Sequence, residues 1–231
     1  MRANRLGHGL LAQGPYGGGA VRDRLIARKL AEQFRQPRGF FGKLVGFLLS
    51  RVNRQANEWT LSLLDIHPTD QVLEVGFGPG LAIQKAATMA SQGWVAGVDF
   101  SGTMVQLACK RNAPAIAAGR VDLRYGSLSA LPYRTDTFDK IFAVNVMYYV
   151  PDPVPGLQEL WRVMKPGGRI ALFLVAKEDM ARRLIAQAGV LILYTGEEVV
   201  QLLVQAGFRR ARFETSRIKM IGTGLCALAE K

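Results

Sequence analysis

The chain has 231 residues, of which 49% are hydrophobic, and this suits one folded domain with an N-terminal extension and excludes wholesale disorder. Its two cysteines, Cys109 and Cys226, and its two histidines are too few and too scattered for a disulfide framework or a metal cluster, so we expect no metal. The formal net charge is +12, and residues 1–60 carry +8 of it, which indicates an anionic partner or a solvated basic face there.

The first 64 residues divide into two parts. Residues 1–20 are rich in glycine and lack periodicity, so we expect a flexible arm. Residues 21–64 have helical periodicity: one stretch runs from Val21 to Gln36, Pro37-Arg38-Gly39 interrupts it, and a second runs from about Phe40 to Leu64. We expect these N-terminal helices to form either a lid over the acceptor or a contact with a membrane surface. We find no signal peptide and no apolar run long enough to cross a membrane, so the expected location is cytoplasmic.

From Asp70 onward, strand patterns alternate with helical patterns, which predicts a parallel sheet in a domain that spans residues 65–231. The expected fold is α/β and Rossmann-like: a doubly wound, mostly parallel seven-stranded sheet with helices on both faces, preceded by the N-terminal helices. The predicted strands are 71–76, 94–99, 121–125, 138–145, 169–175, 212–217 and 223–229. Helices are predicted near 81–90, 104–111 and 155–164, and Thr195-Gly196-Glu197-Glu198 is a capping box that opens another helix.

The clearest motif is a buried strand that runs into a glycine turn, Val72-Leu73-Glu74-Val75-Gly76-Phe77-Gly78-Pro79-Gly80. Such glycines let the backbone approach a ligand at the end of a strand, where α/β sheets bind nucleotides. A dinucleotide fingerprint would have glycine at position 81, which is Leu81, so a pyrophosphate ligand is disfavoured. Asp99 ends the next strand, where it can accept both hydroxyls of a ribose or cap the following helix.

In order along the chain, these segments resemble the class I S-adenosylmethionine-dependent methyltransferases. Glu74–Gly80 is similar to the family's first motif, Val98–Met104 to its ribose-binding segment, and Met164–Arg169 to the turn into its fifth strand. Residues 131–139 are similar to the approach to the fourth strand, and the resemblance covers about residues 57–229. It implies an enzyme that uses S-adenosyl-L-methionine.

The resemblance also implies roles for single residues. The glycines would contact the methionine part of the cofactor, Asp99 the ribose, and Phe100 or Met104 the adenine face. Ser127 stands where the family often has Asp, and the Leu128 amide would meet an adenine nitrogen. The implied cofactor-binding residues are Glu74, Gly76, Gly78, Gly80, Asp99, Phe100, Met104, Ser127, Leu128 and Asn145.

Two of these assignments leave alternatives open, and the acceptor side is less defined. Glu74 usually organises the loop in this family, and Asn145 either presents its carbonyl to the cofactor's amino group or is a satisfied strand end. Tyr148 and Tyr149 follow the fourth strand, where the family faces its acceptor, so one of them either contacts the acceptor or only packs. No dedicated base stands out, and the main requirement is in-line alignment of the nucleophile with the methyl group.

The expected acceptor is an N, O or C atom of a small molecule. An alternative is a phospholipid headgroup, because the core resembles phospholipid N-methyltransferases and the basic stretch with Phe40, Phe41 and Phe47 can lie weakly on an anionic membrane surface. No nucleic-acid partner is expected, since the run 145–148 lacks the prolines of enzymes that methylate base amines. A nucleic-acid or protein methyltransferase, a non-catalytic cofactor-binding protein and a homodimer stay open.

Overall fold

A computed structural model describes Leu48, residues 50–183, Ala186, Gly189 and residues 191–231. The glycine-rich arm over 1–20 and the helix predicted from Val21 to Gln36 lie outside these residues. The strands are β1 (Gln71–Val75), β2 (Trp94–Asp99), β3 (Val121–Tyr125), β4 (Phe138–Val144), β5 (Met164–Val175), β6 (Arg209–Ile218) and β7 (Gly222–Glu230). The helices are α1 (Arg54–Leu64), α2 (Leu81–Met89), α3 (Gly102–Arg111), α4 (Ala113–Ala117), α5 (Pro153–Val163), α6 (Lys177–Ala181) and α7 (Gly196–Gln205).

Within the described part of the chain, the seven strands form one sheet in the order β3-β2-β1-β4-β5-β7-β6. Neighbours pair in parallel except for β7, which is antiparallel to both β5 and β6. On one face α1 contacts α2 and α2 contacts α3, and on the other α5 contacts α7. The predicted Rossmann-like, doubly wound fold is therefore confirmed.

The core lies in the central strands, because these are covered by helices on both faces. The side chains from Ile170 to Val175 on β5 are all buried, as are Val72 and Leu73 on β1. Such continuous apolar runs are what buried parallel strands require, and they explain why most strand positions were predictable from the sequence.

The chain crosses from one side of the sheet to the other between β1 and β4. β1 pairs with β2 on one side and with β4 on the other, so the loops that follow β1 and β4 leave the same edge of the sheet in opposite directions. A crevice opens at such a switch point, beyond the carboxyl ends of the strands. This geometry brings the glycine loop after β1 next to Asn145 at the end of β4.

The second predicted helical stretch, roughly Phe40 to Leu64, is described from Leu48 onward with a gap at position 49. Leu48, residues 50–52 and α1 are helical, and Asn53 is a single turn residue with helical dihedral angles, so the described part agrees with the prediction. The Asn53 carbonyl accepts from the Asn57 amide at 2.8 Å, while its side chain hydrogen-bonds to Asn145. Helices α4 and α6 were not predicted; each has only five residues, too few for a periodic pattern.

Two further details follow from local chemistry. β5 begins at Met164 rather than at Arg169, because the register with β4 shifts between Phe138 and Lys140 and the glycine turn bulges out of the ladder. The predicted capping box is confirmed: Thr195 Oγ1 accepts from the Glu198 amide at 3.2 Å, and Glu198 Oε2 accepts from the Thr195 amide at 2.7 Å.

Among the described helices, none has both the length and the apolar character needed to cross a membrane.

Candidate functional site

A cavity of about 830 Å³ opens at the switch point between β1 and β4. Small-molecule sites usually measure roughly 300–1,000 Å³, so this volume is near the upper end. The cavity wall includes all but one of the residues that the sequence assigned to the cofactor, together with both tyrosines assigned to the acceptor. Those residues are Glu74, Gly76, Gly78, Asp99, Phe100, Met104, Ser127, Leu128, Asn145, Tyr148 and Tyr149. Gly80 is not part of the wall.

The glycine loop after β1 needs three left-handed backbone positions, with φ of +71° at Gly76, +52° at Gly78 and +76° at Gly80. The surroundings of the three differ. A Cβ at Gly76 would overlap the side chain of Val146, and one at Gly80 would lie 2.7 Å from the Cβ of Ala108. A Cβ at Gly78 would meet nothing within 4 Å, so Gly78 faces the open cavity.

Asp99 is 5% exposed and joins the ends of β1 and β2. Its Oδ2 accepts from the Gly78 amide and its Oδ1 from the Ser101 amide, both at 2.8 Å. Burial raises the pKa of Asp99, while these two amides act in the opposite direction. The helix that follows is capped by Ser101, whose hydroxyl accepts from the Met104 amide at 3.4 Å, so capping α3 is not the role of Asp99.

Glu74 lies on β1 beside Asp99 and is 3% exposed. Its Oε2 is buried in the cavity wall and has no hydrogen-bond partner among the described residues. Burial raises the pKa of Glu74 well above its usual range, and the negative charge of Asp99 raises it further. A backbone hydrogen bond from Ile83 acts in the opposite direction. A positively charged ligand beside this carboxyl group would favour its ionised form, so the position suits such a ligand.

The wall between β2 and the end of β3 carries the residues assigned to adenine. Met104 is buried, and Phe100 and Leu128 are half-buried. The Ser127 hydroxyl is exposed and lies 2.9 Å from the Ser129 hydroxyl. This part of the cavity combines apolar faces with polar atoms at one edge, an arrangement that suits a flat heterocyclic ring.

Asn145, which follows β4, has a φ of +59°. Its backbone amide donates to Phe173 O at 2.9 Å, and its Nδ2 donates to Asn53 Oδ1 at 3.3 Å. Its Oδ1 is buried, without a partner in the described part of the structure. A strained backbone and an unsatisfied carbonyl at a strand end are typical of functional positions, so Asn145 is more than a satisfied strand end.

The two tyrosines lie in a 3-10 turn, Met147–Tyr149, and differ in how their hydroxyls are used. The Tyr148 hydroxyl accepts from the Val175 amide and donates to Val175 O at 3.1 Å, and its ring is 2% exposed. Tyr149 is half-buried, and burial raises its pKa to about 12. The Tyr148 hydroxyl is therefore committed to the backbone of β5, which leaves Tyr149 as the stronger candidate for contact with an acceptor.

The remaining wall is mainly apolar and comes from several elements. The residues that form it include Val52, Val150, Val175, Met180, Leu191 and Ile221. Two charged side chains also reach this part of the wall, Arg183 and Asp152, and the Arg183 guanidinium donates to Ile221 O. The Ile192 amide donates to Tyr148 O at 3.0 Å, which connects the segment after β5 to the wall.

Two asparagines that sequence reasoning missed hold parts of the site. The Asn112 amide, buried between α3 and α4, donates to Gly80 O at 3.1 Å and so supports the glycine loop from behind. Asn53 contacts Asn145, as described above. No local pattern marks either residue, because each acts on a segment that is distant in sequence.

Comparisons with known proteins agree with this geometry. Residues 73–172 match the family model described as a methyltransferase domain. An uncharacterized methyltransferase, YdaC of Bacillus subtilis, is 29% identical over 188 residues, which cover 81% of this chain and 98% of that protein. The ubiquinone/menaquinone biosynthesis C-methyltransferase UbiE of Geotalea daltonii is 32% identical over 122 residues, which are 52% of each protein.

The chain thus spans about half the length of the quinone methyltransferases that it matches. Among solved structures, a SAM-dependent methyltransferase from Aquifex aeolicus superimposes with a TM-score of 0.64 at 22% identity. The superposition covers 87% of this chain and 97% of that one, and at this identity it supports the fold.

Proposed function

The chain belongs to the class I S-adenosylmethionine-dependent methyltransferases, and on that premise we propose that its cavity holds S-adenosyl-L-methionine beside a small-molecule acceptor. When bound, this cofactor supplies an electrophilic methyl group on a positively charged sulfur. The observation that carries the proposal is that cofactor-type residues and an apolar wall line one and the same cavity.

The residues present fit the cofactor. Gly78 leaves room for its backbone to approach a ligand, and the positive charge of a bound cofactor would favour the ionised form of Glu74, whose Oε2 is buried in the wall. Each Asp99 oxygen uses one lone pair on a backbone amide and retains another for a ribose hydroxyl. Phe100, Met104 and Leu128 would enclose the adenine, and Asn145 Oδ1 would accept from the cofactor's amino group.

For the acceptor, we favour a mainly apolar small molecule whose nucleophilic atom needs no strong base from the protein. The described wall holds no histidine or lysine, and burial raises the pKa of Tyr149 to about 12, too high for a base near neutral pH. The chain's contribution to transfer would then be to align the acceptor with the methyl group and to exclude water. The relative named for ubiquinone and menaquinone biosynthesis places quinone-like rings among the first acceptors to test.

The test is mass spectrometry of a combined metabolite and lipid extract after incubation with the full chain and methyl-deuterated S-adenosylmethionine. We expect a labelled product of moderate size in the organic-soluble or metabolite fraction, and no label with the Asp99→Ala variant. A label found solely in nucleic acid or protein would contradict the small-molecule proposal.

A phospholipid headgroup remains our second proposed acceptor, on the strength of the +8 charge in residues 1–60. The described wall gives it less support, because a headgroup amine would be expected to meet carboxylates or an aromatic cage. Asp152 is the one acidic side chain on the described wall outside β1 and β2. Label in intact phospholipid in the same experiment would reverse our preference.

A further inference from the structure

A hydrogen bond connects the N-terminal helical region with the residue at the end of β4. Asn145 Nδ2 donates to Asn53 Oδ1 at 3.3 Å, although the two residues are 92 positions apart. Asn53 precedes α1 as its N-cap residue, yet its side chain makes no capping hydrogen bond. An asparagine at an N-cap normally accepts from the first turn of its own helix, so the side chain of Asn53 has a different use here.

The consequence concerns which end of the Asn145 amide faces the cavity. With its NH₂ group donating to Asn53, the carbonyl Oδ1 is the atom left buried and without a partner in the described structure. With Asn53 kept as it is, rotating the Asn145 amide alone by half a turn would set two carbonyl oxygens against each other and would present a donor to the cavity. A donor there would repel an ammonium group, whereas a carbonyl accepts from it.

We propose that Asn53 is a positioning residue that orients the Asn145 amide, so that Asn145 Oδ1 accepts from the amino group of the cofactor's methionine part. The inference rests on the proposed cofactor site and adds a specificity determinant to it. It makes the start of α1 part of the cofactor site, because Asn53 immediately precedes this helix and contacts Asn145.

The test compares two ligands by titration calorimetry on the full chain. S-adenosylhomocysteine retains the amino group, and 5′-methylthioadenosine lacks the whole amino-acid part. We expect Asn53→Leu and Asn145→Leu each to weaken binding of S-adenosylhomocysteine roughly tenfold, since a hydrogen bond to a charged group is lost or misaligned. Binding of 5′-methylthioadenosine should stay within about twofold in both variants, which also shows that the adenosine end is intact.

The double variant Asn53→Leu/Asn145→Leu separates positioning from direct contact. If Asn53 acts through Asn145, the double variant binds S-adenosylhomocysteine no more weakly than Asn145→Leu alone. The conservative variant Asn53→Asp keeps an acceptor for the Asn145 amide and should stay within about threefold of the parent. Additive losses in the double variant, or parent-like binding by Asn53→Leu, would overturn the inference. Failure of the parent to bind either ligand would instead overturn the proposed cofactor site.

Discussion

The amide of Gly78 donates to Oδ2 of Asp99 at 2.8 Å, so the glycine loop after β1 is fastened directly to the end of β2. The two residues are 21 positions apart, and each belongs to a different sequence motif. The contact makes the two motifs one unit: the carboxylate that we assign to the ribose also fixes the loop that we assign to the methionine part. Changes at either residue should therefore affect the whole cofactor site.

Replacing Asp99 by Ala should weaken S-adenosylmethionine binding by about 100-fold or more. The change removes hydrogen bonds from a charged acceptor, each worth roughly 1.5–3 kcal/mol, and it releases the Gly78 amide. Titration calorimetry measures the loss. Asp122→Ala is the matched control, since Asp122 pairs with Arg124 on the neighbouring strand β3 and is not part of the cavity wall. Equal effects of the two variants would contradict the assignment of Asp99.

Gly78→Val should abolish cofactor binding while the protein still folds. A Cβ at Gly78 would meet no protein atom within 4 Å, and Gly78 is part of the cavity wall, so we expect the cost to the fold to be mainly the left-handed backbone strain of about 1–2 kcal/mol. Gly119→Val is a control with the same strain, because Gly119 has a φ of +70°, open space around its Cβ and no place in the cavity wall. Thermal unfolding should give similar losses for both variants, and calorimetry should detect lost binding for Gly78→Val alone. Normal cofactor affinity in Gly78→Val would show that this loop is not the cofactor site.

Glu74→Gln should stabilise the unliganded protein at neutral pH, by about 1 kcal/mol, and weaken cofactor binding. Because burial raises the pKa of Glu74, the folded state keeps its proton over a pH range in which the unfolded chain has lost it. The stability of the parent should therefore be highest below the unfolded pKa and should fall as the pH rises toward the raised, folded value. The variant should lack this slope.

Thermal unfolding between about pH 4 and pH 8 measures the slope, because this range begins near the ordinary glutamate pKa of about 4.3 and extends well above it. S-adenosylmethionine carries one more positive charge than S-adenosylhomocysteine, so Glu74→Gln should reduce affinity for the former by the larger factor. Equal losses of affinity for the two ligands would show that Glu74 does not interact with the sulfonium. They would favour a loop-organising role for Glu74 instead.

The two tyrosines should give opposite results when each is changed to Phe. Tyr148→Phe removes the hydroxyl that bonds both backbone groups of Val175, so we expect a loss of about 1–3 kcal/mol in unfolding free energy. Tyr149→Phe should change stability by less than about 0.5 kcal/mol and should lower methyl transfer instead. Chemical denaturation and turnover on the same preparations test the pair. Tyr149→Phe with full turnover would remove Tyr149 from the acceptor site.

The basic N-terminal region predicts weak binding to anionic membranes. We expect the full chain to sediment with phosphatidylglycerol vesicles at 0.01 M salt, where the screening length is about 30 Å, and to be released at 1 M, where it is about 3 Å. Phosphatidylcholine vesicles are the neutral control. If no protein sediments with the anionic vesicles at low salt, the result would contradict our second proposal, a phospholipid acceptor.

The local motifs of the candidate site could be predicted from the sequence. The glycine loop and Asp99 could be predicted because their residues are contiguous and each follows a buried apolar strand. The contact of Asn53 with Asn145 could not, because it depends on how a residue at the start of α1 lies relative to the end of a strand 92 positions away. The same holds for Asn112, which supports Gly80 from 32 positions away. A tertiary hydrogen bond between two polar side chains produces no periodic pattern in the sequence.

The position of β6 at the end of the strand order has a consequence for self-association. β6 pairs with β7 on one side, and the described sheet ends with it, so the backbone groups on its other side could pair with a strand of another copy. β6 has four arginines, at positions 209, 210, 212 and 217, and all four are exposed. Their mutual repulsion discourages edge-to-edge pairing between the β6 strands of two copies.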